Sequence, residues 1–180
     1  MGWNSTGLRG STLEELINLT NDAYRRKGLA VIQKVPTPIT PVQFDSATRT
    51  ISLAYFDQKS TVDYIGAVQG IPVCFDAKET GLKSLPLQNI HEHQISFMRE
   101  FEKQGGLAFL LVHFRHTDEY FYLPLEALSK FWDASLAGGR KSIPYDAFDK
   151  KLLIRNENGS YIHYLEAIST ILEGGHHKGE

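Results

Sequence analysis

Cysteine is almost missing from this chain: among 180 residues, Cys74 alone carries a thiol. An internal disulfide is therefore excluded, and the composition suits a reducing compartment, with the cytoplasm as the expected location. Long apolar runs are missing too. The longest, residues 107–112, reads Leu-Ala-Phe-Leu-Leu-Val, whereas a membrane helix needs about 20 such residues. The opening Met1-Gly2-Trp3-Asn4-Ser5 has neither the basic nor the apolar region of a secretion signal, so none is expected. There is no internal repeat and no low-complexity stretch. Charge of one sign is not in excess either. Nineteen Lys and Arg face 21 Asp and Glu, a net charge of −2, which argues against indiscriminate nucleic-acid binding.

What is present suits one globular domain spanning 1–180, with 42% hydrophobic and 22% charged residues. The basic residues are grouped, in Arg25-Arg26-Lys27, Arg140-Lys141 and Lys150-Lys151, with Arg9 and Lys34 nearer the start. Phosphate affinity depends on local rather than net charge, although any one such group alone reads as solvated surface.

Ser11-Thr12-Leu13-Glu14-Glu15 predicts a helix start, each hydroxyl having a Glu three residues on. Leu13, Leu16, Ile17 and Tyr24 give that helix its inward stripe, and Gly28 ends it. Ala30-Val31-Ile32 reads as a short strand. Prolines at 36, 38 and 41 forbid helix and sheet interior, so residues 36–60 are expected to form an extended arm or hairpin. A β-hairpin is predicted about Gln69-Gly70, from Asp63 to Ala77. Residues 81–90 read as a loop. A helix from Asn89 should turn Ile90, Phe97, Met98 and Phe101 inward, and strands are expected at 107–114 and 120–123. Pro124 should open a helix, residues 165–172 should form another, and 174–180 should fray. The fold class is α/β, a mixed central sheet flanked by helices.

Ile71-Pro72-Val73-Cys74-Phe75 runs straight into Asp76-Ala77-Lys78. Charges at the end of a buried strand are costly unless paired, hydrogen-bonded or bound to something. Pairing across Gln69-Gly70 sets position 63 opposite roughly position 76, so Asp63 and Asp76 can meet. Residues two apart on a strand share a face, so Lys78 projects with Asp76. Two hard oxygen ligands and an ammonium then converge, as metal-assisted phosphodiester hydrolysis requires. Mg²⁺ accepts carboxylates, water and a phosphate oxygen, and activates water and phosphoryl group together. The lysine would stabilise transition-state charge. A bare Asp…Asp-x-Lys pattern alone also fits a surface salt bridge.

Asp63, Asp76 and Lys78 match the pattern of the PD-(D/E)XK nuclease superfamily. More specifically, the chain resembles the RecU-type Holliday junction resolvases of Gram-positive bacteria along nearly its whole length. The likeness rests on Arg9-Gly10 with Thr12-Leu13-Glu14, Ala30-Val31-Ile32 with Lys34 and Pro36-Thr37-Pro38, and Ala54-Tyr55-Phe56. It continues through Ser60-Thr61 with Asp63-Tyr64, Phe75-Asp76-Ala77-Lys78-Glu79-Thr80, Pro86-Leu87-Gln88-Asn89, and His91 with His93-Gln94-Ile95. Phe131-Trp132 and Gly139-Arg140-Lys141-Ser142-Ile143 complete it.

The resemblance implies a restriction-endonuclease-like fold whose arm at about 36–60 is a stalk entering an opened four-way junction. It implies metal binding by Thr61, Asp63, Asp76 and Gln94, with Lys78 catalytic beside Asp63 and Asp76, and Mg²⁺ as cofactor, replaceable by Mn²⁺. The family tends to carry Glu where this chain has Asp76. Glu15 is a candidate accessory acid, since the first helix approaches the site in this superfamily, and helix capping explains it equally. His91 and His93 would suggest a metal pair, but their spacing predicts different helix faces. Paired symmetric nicks imply a homodimer. The family is also described as a partner of the strand-exchange recombinase, for which Arg9 is the first residue to test. Two other readings stay open: a nuclease acting on linear duplex, and a non-catalytic DNA-binding modulator of the recombinase.

Overall fold

Thr12 opens the first helix as its hydroxyl predicts. In the computed structural model, which describes residues 12–56, 61–155 and 161–176, α1 spans Leu13–Arg26. Thr12 Oγ1 accepts from the Glu15 N–H at 3.3 Å, and the Glu15 carboxylate accepts from the Thr12 N–H at 2.7 Å. This capping box satisfies two helix-end donors at once. α1 buries Leu13, Ile17 and Tyr24, together with Thr20, Asn21 and Ala23, and stops ahead of Gly28 at φ +67°.

The central sheet is built from β1 (Ala30–Lys34), β4 (Tyr64–Val68), β5 (Ile71–Thr80), β7 (Leu107–Phe114), β8 (Glu119–Pro124) and β10 (Leu153–Ile154), in the order β1-β4-β5-β7-β8-β10. β5 and β7 pair parallel and every other neighbouring pair is antiparallel, so the sheet is mixed as expected. Gln69 at φ 47° and Gly70 at φ 90° make the tight β4–β5 turn, both positive as a type I′ hairpin requires. The turn sets the register, with Tyr64 opposite Phe75. Gly66 permits β1 to close on β4: a Cβ there would lie 2.1 Å from the Val31 carbonyl oxygen.

One sheet face stacks Tyr64, Phe75, Phe109 and Tyr122 across four strands, with ring centroids 4.8, 4.8 and 4.2 Å apart. α1 covers this face with α4 (Leu165–His176), through Ile17, Tyr24 and Ile168. The other face, carrying Cys74, Leu110 and Val112, is covered by α2 (Glu92–Lys103) and α3 (Leu125–Leu136) through Ile95, Met98 and Leu128. Both faces of β5 are thus packed, which is why its side chains are buried from Val73 to Asp76.

Two ribbons stand outside this sheet. β2 (Ile39–Asp45) and β3 (Thr50–Phe56) pair only with each other. Pro41 lies inside β2, an edge strand of a two-stranded ribbon, in keeping with the arm or hairpin expected there; the register shifts between Pro41 and Gln43, where a bulge accommodates the missing donor. Ile39, Val42, Phe44, Ile51, Leu53 and Tyr55 of this ribbon are exposed. Residues 57–60, the end of the expected arm, lie outside the described residues.

The second ribbon corrects the loop expected at 81–90. β6 (Ser84–Pro86) pairs with β9 (Ser142–Pro144), placing Leu85 beside Ile143, both fully buried. A 3₁₀ turn at Leu87–Asn89 follows β6, and His91 is still extended, so α2 begins at Glu92 rather than Asn89. α3 follows Pro124 as predicted. α4 continues past Gly174 to His176; residues 177–180 of the expected frayed tail lie outside the described residues.

Candidate active site

The hairpin register carries Asp63 and Asp76 to one place. The Asp63 N–H donates to Asp76 Oδ1 at 2.7 Å, and the Ala77 N–H donates to Asp63 Oδ2 at 2.9 Å. Each acid therefore spends one oxygen on the backbone of the other's strand. Lys78, on the same face of β5 as Asp76, brings its ammonium within 3.1 Å of Asp76 Oδ2. Asp76 is wholly buried and the Lys78 side chain is 14% exposed.

That contact is an ion pair by distance but not by direction. Asp76 Oδ2 is buried without a hydrogen bond, although the ammonium lies 3.1 Å away. A buried carboxylate oxygen left so costs free energy that a further cation would return. Asp63 feels the same crowding: burial raises its pKa above 3.8, and the Asp76 charge raises it further, against the Ala77 N–H and the Lys78 charge. The acid pair and its one lysine are thus short of positive charge.

Gln94 and Thr61 are placed differently. Gln94 is buried at the start of α2, where its Oε1 accepts from the His91 N–H at 3.0 Å. Thr61 is exposed and lines an open groove with His91, His93, Ser96 and Phe97. Among the described residues, no hydrogen bond or ion pair joins either to the two aspartates, and no group of three or more His, Cys, Asp or Glu gathers. His91 and His93 do not lie on different helix faces as their spacing predicts. His91 precedes the helix in extended conformation, and the two rings stack with centroids 5.4 Å apart.

Glu15 is committed to the capping box. The neighbouring Glu14 is the acid on α1 that reaches the site electrostatically: its charge contributes to raising the pKa of Asp63. Its carbonyl accepts from the Tyr64 hydroxyl, and its carboxylate pairs with Lys34. The sequence reading passed over Glu14, although the Ser11 and Thr12 offsets mark both glutamates alike. Arg9 lies outside the described residues.

A mixed sheet presenting two mutually bonded aspartates and a lysine at the open end of one hairpin has the site pattern of the PD-(D/E)XK nucleases. The family described as "Recombination protein U" matches residues 8–170. The chain is 42% identical over 172 residues to the Holliday junction resolvase RecU of Pediococcus pentosaceus, covering 93% of this chain and 86% of the relative. It is 42% identical over 170 residues to that of Oenococcus oeni (92% and 86%), and 46% identical over 142 residues to that of a Geobacillus species (77% and 71%). The chain belongs to the Recombination protein U family. Among solved structures, Hjc, a Holliday junction resolvase of Archaeoglobus fulgidus, is similar at a TM-score of 0.35 and 11% identity, over 62% of this chain and 74% of that one.

Proposed function

We propose that this protein is an endonuclease that resolves four-way DNA junctions by paired symmetric nicks, with a divalent cation, Mg²⁺ or its substitute Mn²⁺, held by Asp63 and Asp76. The observation that carries the reading is the buried, hydrogen-bond-deficient Asp76 Oδ2 beside Lys78. Asp63 contributes its second oxygen, and Thr61 and Gln94 complete the ligand set. Gln94 would share an oxygen that already accepts from His91, which makes it the weakest ligand of the four.

When bound, the cation would polarise the scissile phosphate and acidify an attacking water. The protein's own part is positional. The Ala77 and Asp63 backbone N–H groups orient the two carboxylates before substrate arrives. Lys78, held within 3.1 Å of Asp76 Oδ2, faces the phosphate and offsets the charge that grows on it in the transition state. The packed faces of β5 prevent these groups from rearranging.

The exposed apolar ribbon of β2 and β3 supplies selectivity, acting as a wedge at the crossover rather than as a charged clamp. Arg49 is its one basic residue among those described. Two nicks need two sites, so a homodimer is the working form. Arg9 is the residue for contact with a strand-exchange recombinase. No helix among the described residues is long and apolar enough to cross a membrane, and we place the reaction in the cytoplasm.

The test is a labelled synthetic junction incubated with and without Mg²⁺, alone and with excess linear duplex. Nicking that requires the metal and survives the competitor supports the proposal. Equal loss to the competitor would instead indicate a linear-duplex nuclease, and binding without nicking a non-catalytic modulator.

A further inference from the structure

The β6–β9 ribbon and its flanks carry charge of one sign only. Residues 81–91 and 134–145, which contain its two strands and flanks, hold Lys83, Arg140 and Lys141 and no acid. All three cations are exposed. Elsewhere Lys34, Lys78, Arg99, Arg115 and Lys130 each pair with a carboxylate. Among the described residues, no carboxylate pairs with Lys83, Arg140 or Lys141.

Their backbones are held rigidly. The Lys83 carbonyl accepts from the Tyr145 N–H at 3.1 Å, and the Lys141 carbonyl accepts from the Leu87 N–H at 3.0 Å. Lys83 and Lys141 thus sit at opposite ends of the ribbon, about 13 Å apart at four strand steps of about 3.3 Å each. That is of the order of the major-groove width, about 12 Å. Arg140 donates from Nε to Ser142 Oγ at 3.1 Å, which steadies one edge of its guanidinium.

The ribbon is also tied to the candidate site. It leaves β5 two residues after Lys78, and Thr80 Oγ1 binds the turn on both sides, donating to the Ser84 carbonyl and accepting from the Leu82 N–H. Leu85 and Ile143 anchor it in the core on the sheet face that carries Cys74 and, by alternation, Asp76 and Lys78. At its far end the chain leads through the 3₁₀ turn into α2, which bears Gln94.

We propose that the β6–β9 ribbon, through Lys83, Arg140 and Lys141, grips the phosphate backbone of a duplex arm leaving the cleavage site. The proposal rests on the junction-nicking reading and adds the surface that holds the arm. The partner is duplex DNA rather than the crossover itself, because the cations straddle a groove-sized span and no exposed aromatic side chain on the ribbon strands offers a base stack. Half-buried Ser84 and Ser142 would add neutral phosphate donors.

The experiment is junction and linear-duplex binding by the full chain in EDTA across a salt series. It compares wild type, the Lys83→Gln/Arg140→Gln/Lys141→Gln variant, and a control Arg25→Gln/Arg26→Gln variant at the opposite end of the sheet. Each lost phosphate contact removes about 0.9 from the slope of log affinity against log salt, so the triple variant should be shallower by about 2 to 3 on both DNAs. The control should match wild type, and all three should melt alike. An unchanged slope in the triple variant, with wild type nicking junctions in Mg²⁺, overturns the ribbon and leaves the nuclease reading intact. Weaker binding with an unchanged slope and a lower melting temperature also overturns it, because that marks support of the α3 C-terminus rather than phosphate contact. A slope change on the junction alone overturns the assignment to an arm. Wild type that neither binds nor nicks a junction defeats the functional reading, and the ribbon's role with it.

Discussion

Asp63 and Asp76 hold each other's strands: the Asp63 N–H reaches Asp76 Oδ1, and the Asp63 carboxylate takes the N–H that follows Asp76. The two acids are therefore locked at close range before any cation arrives, with Lys78 as their one compensating charge among the described residues. Like charges so arranged favour protonation or a bound cation.

The first prediction concerns Asp63→Asn, which keeps an oxygen for the Ala77 N–H and deletes the charge. The folded-state pKa of Asp63 is raised above 3.8 by burial first and by Asp76 second. The native state thus holds its proton more tightly, so ionising Asp63 costs the metal-free fold stability as pH rises from 3.8 through the raised value. In EDTA, Asp63→Asn should melt close to wild type at pH 3.5 and above it at pH 8. Adding Mg²⁺ should raise the wild-type melting temperature at pH 8 and leave the variant's unchanged. A wild type indifferent to both Mg²⁺ and Mn²⁺ would remove the metal site.

Lys78→Ala leaves Asp76 as a buried charge with no cation. Breaking such a pair costs about 3–5 kcal/mol, read as a lower urea midpoint in EDTA, and Mg²⁺ should restore part of it. Loss of the positive group at the phosphate should cut nicking by at least about 100-fold, while junction affinity stays within a few-fold of wild type. Asp76→Asn should likewise bind without cutting. Nicking by either variant at wild-type rate would show that these residues do not carry the chemistry.

The hairpin was legible because Gln69-Gly70 is a local turn signal and the register follows from counting outward. α1 was legible for the same reason, its start being written in Thr12 and Glu15. The β6–β9 ribbon was not. A three-residue strand has no periodicity to detect, and Leu85 acquires its meaning only from Ile143, far along the chain. The stacking of His91 on His93 was hidden by the helix start: helical spacing was applied to a residue whose backbone is extended. Glu14 and Glu15 carry equal local signals, and only the packing of Tyr64 under α1 separates the one near Asp63 from the one in the cap.

That separation gives a third prediction. Glu15→Ala removes the reciprocal half of the capping box and should cost about 1 kcal/mol, with nicking per folded molecule unchanged; Glu15→Gln, which preserves the box, should match wild type in both. Glu14→Gln should instead raise the Mg²⁺ concentration needed for half-maximal nicking, since it withdraws negative charge from beside Asp63. If Glu15→Gln needs more Mg²⁺ and Glu14→Gln does not, the accessory acid has been assigned to the wrong glutamate.

The β2–β3 ribbon pairs with no strand of the central sheet, and its apolar residues face solvent. Solvent-exposed Phe44 and Leu53 support little of the core, so Phe44→Ser/Leu53→Ser should change stability by no more than about 0.5 kcal/mol for each site. Exposed apolar groups on a ribbon outside the central sheet point to contact with a partner. For the wedge reading, that partner is the unstacked centre of a junction. The double variant should bind linear duplex as wild type does, with the same salt slope, because phosphate contacts are untouched. Its nicking of a four-way junction should fall at least about tenfold, a loss of about 1.4 kcal/mol in transition-state stabilisation. Equal activity of variant and wild type on the junction would strip the ribbon of its role in substrate choice, and junction selectivity would then have to come from the geometry of two sites in a dimer.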